Sequence, residues 1–178
     1  NLTAINIVKE KEIGTIEQIN VTPVKKFHFI LGKLIPFWVL GLIIFTIGII
    51  ISRFFYGIIP LGNMGTIYLF AAIYLFAVLG LGLLISTFAE SQQQAMLISF
   101  FLMMIFVLMS GLYTSIDSMP DWAKFITKAN PVTYFIQVIR MVVIKGSSLS
   151  DIKEPLLTIT GFALFLNGWA VLNYHKRS

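Results

Sequence analysis

The sequence predicts an all-α fold, a polytopic bundle of transmembrane helices, and three observations lead to this prediction. Of the 178 residues, 57% are hydrophobic and only 12% are charged, about half the charged fraction of an ordinary soluble domain. The mean hydropathy is +0.88. The apolar residues form long uncharged runs separated by short charged or polar segments. A soluble fold of this size could not cover so much apolar surface, so we predict one membrane domain over residues 1–178.

Four of the apolar runs approach the roughly 20 residues that a spanning helix needs. The second begins at Met64, after a break at Pro60, Gly62 and Asn63. The four predicted spans are 34–52, 64–88, 94–112 and 155–174. Four spans place both ends of the chain on one side of the membrane. Lysines concentrate on the amino-terminal flank of that side, which favours the cytoplasm.

The region before the first predicted span divides into two parts. Residues 1–8 are moderately apolar, without the features of a signal peptide, and we predict the end of a preceding span. Residues 9–28 are charged, and Thr15 and Gln18 have the spacing of a capping box. They predict a short amphipathic helix in the cytoplasmic interface, with Glu10 and Glu17 facing water. A solvated charged linker remains the alternative, because so short a segment is weak evidence for a helix.

The long loop on the opposite side, residues 113–154, contains two candidate helices that lie in the outer interface or re-enter the membrane. Ser118, as a cap, followed by Pro120 predicts the start of the first, and Trp122 opens its apolar face. Asn130 and Pro131 predict the start of the second, and Lys145 with Gly146 its end. The apolar residues of the second are Tyr134, Phe135, Val138, Ile139 and Val142. The pair could act as a lid over a pathway or as a surface anchor with belt aromatics.

The sequence lacks the motifs of several kinds of catalytic and binding site. The chain has no cysteine, so thiolate metal sites and cysteine nucleophiles are excluded. It contains no phosphate-binding loop, zinc-protease motif or nucleophile elbow. The net charge of +5 comes from cations at the ends of apolar runs, where lipid headgroups rather than nucleic acid are the expected partners. We therefore predict no catalytic residue, no bound cofactor and no metal site in this chain.

The chain resembles the carboxy-terminal half of a type-2 ATP-binding cassette (ABC) transporter permease. Residues 9–23, KEKEIGTIEQINVTP, are similar to the family's cytoplasmic segment (R/K)-E-x-E-x-G-T-x-E-x-x-x-x-T-P. The resemblance continues through ILGKLIP at 30–36, LGLLISTFAESQQQAM at 81–96 and the P-x-W and N-P-x-T-Y-F elements within 110–135. Their order and spacing agree over essentially the whole chain.

The resemblance implies a permease subunit of an ATP-driven exporter in the bacterial inner membrane. A separate ATPase subunit would bind ATP and magnesium, a second permease subunit would complete a homo- or heterodimer, and a periplasmic adaptor could join them. Two groups of residues would carry the function. The coupling helix that docks on the ATPase would include Glu10, Glu12, Gly14, Thr15 and Glu17, and the outer gate would include Pro120, Trp122, Asn130, Pro131 and Tyr134. A membrane scaffold that recruits a soluble protein without transport is the alternative.

Overall fold

The computed structural model describes residues 2–12 and 26–173, and within these ranges all regular secondary structure is helical, as predicted. It contains one turn of 3-10 helix at Ile116–Ser118 and no strand in the described ranges. The α-helices of the described residues are α1 Leu2–Glu12, α2 Lys26–Tyr56, α3 Met64–Phe88, α4 Gln92–Leu108, α5 Asp121–Lys128, α6 Pro131–Lys145 and α7 Lys153–Asn173.

Three helices within the described residues are long and apolar enough to cross a membrane. Their candidate spans are Ile30–Tyr56 in α2, Met64–Phe88, which is α3, and Lys153–Leu172 in α7. The bounds of α3 agree with the predicted span 64–88. Helix α2 extends beyond 34–52 in both directions, since neither Lys33 nor Arg53 is a residue that breaks a helix.

The third predicted span, 94–112, extends too far at its carboxyl end. Helix α4 has 17 residues and ends at Leu108, which gives it a length of about 25 Å, short of a hydrocarbon core of about 30 Å. Gly111 follows with a φ of 80°, a left-handed conformation that glycine adopts without steric cost. Helix α4 ends before that residue, so 94–112 is not one continuous helix of the predicted length.

Helix α3 lies at the centre of the bundle. It packs most extensively against α7 and also contacts α1, α2 and α6. The main buried cluster joins α3 to α6 and to the start of α7. Its members are Ile67, Phe70, Ala77, Val138, Val142, Ile152, Ile159 and Ala163.

The bundle has two distinct ends. At the turn end, the short connection 89–91 joins α3 to α4, and Leu83 of α3 shares a buried cluster with Ile7 of α1, Leu34 of α2 and Ala170 of α7. At the loop end lie the start of α3, α5, α6 and the start of α7. The predicted gate residues therefore lie at the loop end, whereas Glu10 and Glu12, the described members of the predicted coupling group, lie at the turn end.

Much of the apolar surface of α4 is exposed. Only Ala95 and Ser99 of this helix are buried. Its exposed large side chains are Met96, Leu97, Ile98, Phe100, Phe101, Met103, Met104, Ile105 and Leu108. A surface of this composition suits lipid or another apolar helix rather than water.

Candidate functional site

At the turn end, α1 packs tightly between α3 and α4. Ala4 and Val8 are fully buried in a cluster with Ala95 of α4 and with Ile85 and Ala89, at the end of α3. Small residues allow this close packing, because a Cβ at Gly82 of α3 would already touch Thr3 Cβ at 3.5 Å. Helix α1 therefore behaves as an integral part of the bundle up to its last turn.

Glu10, in that last turn, forms an ion pair with Lys33 of α2. The two side chains are only 29% and 15% exposed, respectively. The prediction that Glu10 faces water is therefore wrong, because its carboxylate turns toward a cation that is itself mostly buried. A charge in such a place needs a partner, since removing one member leaves the other uncompensated.

Glu12, the final residue of α1, binds the amino terminus of α4. Its Oε1 accepts a hydrogen bond of 2.8 Å from the backbone N–H of Gln92, and its Oε2 accepts one from the Gln92 side-chain amide. The first N–H groups of a helix have no partner within the helix, and the helix dipole favours an anion there. The hydrogen bond from the Gln92 side chain, followed by that from its backbone, lowers the pKa of Glu12 below its ordinary value.

The sequence around the α3–α4 connection builds this amino terminus. Ser91 is the N-cap of α4, and its hydroxyl oxygen accepts a hydrogen bond of 3.2 Å from the N–H of Gln94. The Gln94 side chain accepts in turn from the N–H of Glu90 at 2.9 Å. These contacts resemble a capping box displaced by one residue. They hold the Gln92 N–H in position for Glu12.

The predicted coupling segment 9–28 begins within α1 and ends within α2. Its middle, residues 13–25, including Gly14, Thr15 and Glu17, lies outside the described residues. The role of these three residues therefore stays a prediction. Of the predicted coupling residues, the structure describes Glu10 and Glu12, and both contact other parts of the same chain.

At the loop end, Asn130 and Pro131 start α6 as predicted. The Asn130 side-chain oxygen accepts from the N–H of Val132 at 3.0 Å, and Pro131 occupies the first turn. The same amide donates to the backbone oxygen of Phe106 in α4 at 2.7 Å, and Asn130 is fully buried. At its other end, α6 stops at Gly146, with a φ of 67°. A single asparagine thus caps one helix and ties it to another.

The predicted start of the first loop helix needs a correction. Pro120 itself is the N-cap of α5, and Ser118 belongs to the preceding 3-10 turn, where its hydroxyl donates to Ser115 O at 2.7 Å. Proline fixes an extended approach without any side-chain cap. Trp122 projects from α5 with 67% of its surface exposed, as does Phe125 with 75%. The apolar face predicted for this helix points away from the protein.

Helix α6 reaches deep into the bundle. Phe135 stacks on Tyr74 of α3 with a centroid separation of 4.4 Å, and Tyr74 lies about 15 Å along the axis from the start of α3. The far end of α6 returns to the start of α3, where Gly62 N donates to Val142 O at 3.0 Å. Helices α5 and α6 thus form a hairpin with Asn130 at its tip, and its α6 arm packs along α3 as far as Tyr74.

The remaining predicted gate residue, Tyr134, reinforces the tip of the hairpin. Its hydroxyl donates to Lys128 O at 2.7 Å, which closes the connection between α5 and α6. Asn130, Pro131 and Tyr134 are therefore brought together. Trp122 instead lies on the exposed face of α5.

A groove opens between α2, α3 and α7, with a volume of about 420 Å³. Trp38 forms part of its wall and donates from Nε1 to Ala72 O at 2.8 Å. The other lining residues are Leu34, Ile35, Ala72, Ile73, Phe76, Thr160, Ala163 and Leu164. No group of three or more His, Asp or Glu side chains within the described ranges could hold a metal ion.

Sequence reasoning missed two polar contacts between helices. The sequence does not indicate that Gln92 is the partner of Glu12, because the two residues are far apart in the chain. Asn167 of α7, whose amide donates to Phe76 O of α3 at 3.0 Å, was also overlooked. A signal existed for Asn167, since an amide in the middle of an apolar span requires a partner.

Comparison with known proteins finds a matching family and several similar sequences. A family model described as "ABC-2 family transporter protein" matches residues 1–172. The chain is 32% identical over 162 residues to "Probable multidrug ABC transporter permease YbhR" of Escherichia coli K12, covering 89% of this chain and 44% of that protein. It is 29% identical over 179 residues to "Probable multidrug ABC transporter permease YbhS" of the same organism, with coverages of 99% and 47%.

More distant similarity extends to a eukaryote. "ABC transporter G family member 20" of Dictyostelium discoideum is 22% identical over 179 residues, covering 99% of this chain and 24% of that protein. The chain thus spans less than half the length of these curated relatives. No solved structure matches it significantly.

Proposed function

This chain belongs to the ABC-2 family of transporter proteins, and on that premise we propose that it forms the membrane-spanning part of a permease subunit in an ATP-driven exporter. ATP and magnesium would be bound by a separate ATPase subunit. A second permease subunit, identical or related, would complete the transporter in the bacterial inner membrane. The three apolar helices of the described residues support a position of this chain in the membrane, surrounded by lipid.

One observation supports this function best. Segment 13–25 connects α1 to α2 along the chain. Glu12 of α1 contacts the start of α4, and Lys33 of α2 pairs with Glu10, both at one polar end of an otherwise apolar bundle. A soluble ATPase that contacts this end could move several helices at once. The segment has the charged pattern of the family's coupling helix, so we assign Gly14, Thr15 and Glu17 to the docking surface.

The opposite end suits an outer gate. The hairpin of α5 and α6 is inserted to about half the length of α3, and its tip is fixed by Asn130. Because backbone that is neither helical nor paired is tolerated at such depth only where protein or water covers it, a hairpin there points to a pathway. We propose that Pro120, Trp122, Asn130, Pro131 and Tyr134 shape the exit.

We further propose that α4 serves as the fourth span despite its 17 residues. The hairpin would fill the outer part of the membrane that α4 leaves uncovered. Cysteine labelling tests this topology cleanly, because the natural chain has no cysteine. In intact cells, an impermeant thiol reagent should label Ser150→Cys, whereas Glu90→Cys should react only after the membrane is opened.

The function is tested in proteoliposomes that contain the permease with its ATPase partner. Glu17→Lys should abolish ATP-dependent transport and weaken co-purification of the ATPase by about tenfold or more, since it reverses a charge on the docking surface. Asp117→Lys is the matched control, with the same charge change at the loop end. Normal co-purification of the Glu17→Lys variant would contradict the docking role. ATPase binding without any transport by the wild type would instead favour the scaffold.

A further inference from the structure

The carboxyl end of α1 carries two acids where the helix dipole disfavours them. Partial negative charge collects on the last carbonyl groups of a helix, so lysine or arginine is the expected residue there. Glu10 and Glu12 both lie in the last turn of α1. Local helix chemistry does not explain them, whereas their tertiary contacts do, because each carboxylate lies against a positive group of another helix.

The two acids contact two different parts of the bundle. Glu10 pairs with Lys33 of α2, and Glu12 binds the first N–H of α4 together with the side chain of Gln92. Glu12 immediately precedes segment 13–25. Any displacement of that segment therefore pulls first on these contacts.

Helix α4 extends from Gln92 to the loop end. About 21 Å farther along its axis, the Phe106 carbonyl accepts the hydrogen bond from Asn130 at the tip of the hairpin. Only Ala95 and Ser99 of α4 are buried in the described structure, so few lateral contacts restrain this helix. It is thus attached at both ends and lightly held along its length.

We infer that Glu10 and Glu12 are positioning residues of a joint, consisting of the Glu10–Lys33 and Glu12–Gln92 contacts, through which movement of segment 13–25 reaches α2 and, along α4, the outer hairpin. This inference rests on the proposed function. It differs from the prediction made from sequence in the role of Glu10 and Glu12. The two acids act within the permease, and docking on the ATPase is left to the residues that follow them.

Reversal of the Glu12–Gln92 pair tests the joint. Glu12→Gln can keep both hydrogen bonds if the Gln92 amide rotates, but it removes the negative charge that the amino terminus of α4 favours. Gln92→Glu places two carboxylates together. Each single variant should lower the amount transported per ATP hydrolysed by about fivefold or more, the usual range of coupling between sites. In the double variant Glu12→Gln/Gln92→Glu, the side-chain oxygen at position 12 still accepts from the backbone N–H at position 92, and the side-chain hydrogen bond returns with donor and acceptor exchanged. It should recover transport to within about twofold of the wild type.

Two controls separate a joint from a docking site. Co-purification of the ATPase should be unchanged in both single variants. Gln93→Glu introduces the same charge in the same turn of α4 at an exposed neighbour, and it should leave transport intact. Loss of co-purification without recovery in the double variant would show that Glu12 docks the ATPase, and unchanged transport in both single variants would show that there is no joint.

A structural measurement keeps the inference independent of transport. Glu12→Cys/Gln92→Cys, made in the cysteine-free chain, should be linked by a short bifunctional thiol reagent in native membranes, and Glu12→Cys/Gln93→Cys should react less. Absence of the first cross-link would overturn the joint even if the transporter is active. If the cross-link forms efficiently but the otherwise wild-type protein shows no ATP-driven transport, the Glu12–Gln92 contact is confirmed and the proposed function is wrong.

Discussion

The amide of Asn167 in α7 occupies the space that a side chain at Gly80 of α3 would need. A Cβ at Gly80 would lie 2.7 Å from Asn167 Cγ. The missing side chain allows the amide to donate to Phe76 O at 3.0 Å while it also donates to Ala163 O of its own helix at 2.8 Å. Two apolar helices are thereby joined by a polar contact far from either end of the bundle.

We predict that Gly80→Ala destabilises the protein by about 1 to 3 kcal/mol, the usual cost of overpacking. The backbone of α3 would have to move away from α7, and the Asn167 hydrogen bond to Phe76 would weaken. Thermal unfolding in detergent, followed by helical circular dichroism, measures the effect. Gly161→Ala on the exposed face of α7 is the control, because no atom lies within 4 Å of its Cβ position. It should be neutral or stabilising by up to about 1 kcal/mol, and equal behaviour of the two variants would contradict the packing.

Asn130→Ala should be more damaging than Asn63→Ala, although both residues are N-caps. Asn63 is exposed and caps α3 through one hydrogen bond to Gly65 N, so its loss should cost about 1 kcal/mol. Asn130 is fully buried and makes a second bond, to Phe106 O, so its removal also leaves a buried carbonyl without its partner. The same unfolding assay should show a clearly larger loss for Asn130→Ala. A loss no greater than that of Asn63→Ala would mean that the hairpin tip is not anchored to α4.

The elements that could be predicted are those encoded by neighbouring residues. Long apolar runs predict α2, α3 and α7, and the Asn130-Pro131 pair predicts the start of α6, because each signal lies within a few residues of its effect. The end of α4 was predicted too late, since residues 109–112 are uncharged and the helix ends at Leu108, before the left-handed backbone at Gly111. The partners of Glu10 and Glu12 could not be found in this way. They depend on how α1 packs between α3 and α4, which no local pattern contains.

Trp122 should report that α5 lies in the membrane interface. Its side chain and that of Phe125 are largely exposed, and tryptophan prefers the headgroup level of a bilayer. The fluorescence lost in Trp122→Phe, relative to the wild type, isolates its contribution from those of the other two tryptophans. Lipids brominated near the headgroup should quench this component more strongly than lipids brominated near the chain ends. Stronger quenching by aqueous iodide than by any lipid would place α5 in water and exclude an interfacial face.

The pH dependence of Glu12→Gln should reveal a carboxylate that stays ionised well into the acidic range. Hydrogen bonds from the side chain and then the backbone of Gln92 lower the pKa of Glu12 from 4.5, so the folded state binds this proton less tightly than the unfolded state. The stability that Glu12 contributes is therefore fully present above the unfolded pKa and is lost as pH falls through the lower folded pKa.

The difference in unfolding midpoint between the wild type and Glu12→Gln should thus be constant from about pH 8 to about pH 6 and should shrink only below the ordinary carboxyl pKa of 4.5. Glu154→Gln removes the same charge from an exposed position at the start of α7 and controls for net charge, because this position lies at the opposite end of the bundle from Gln92. A difference that already changes between about pH 6 and pH 8 would show that another titrating group governs this contact. In that case the Glu12–Gln92 hydrogen bonds would not be the source of the stability that Glu12 contributes.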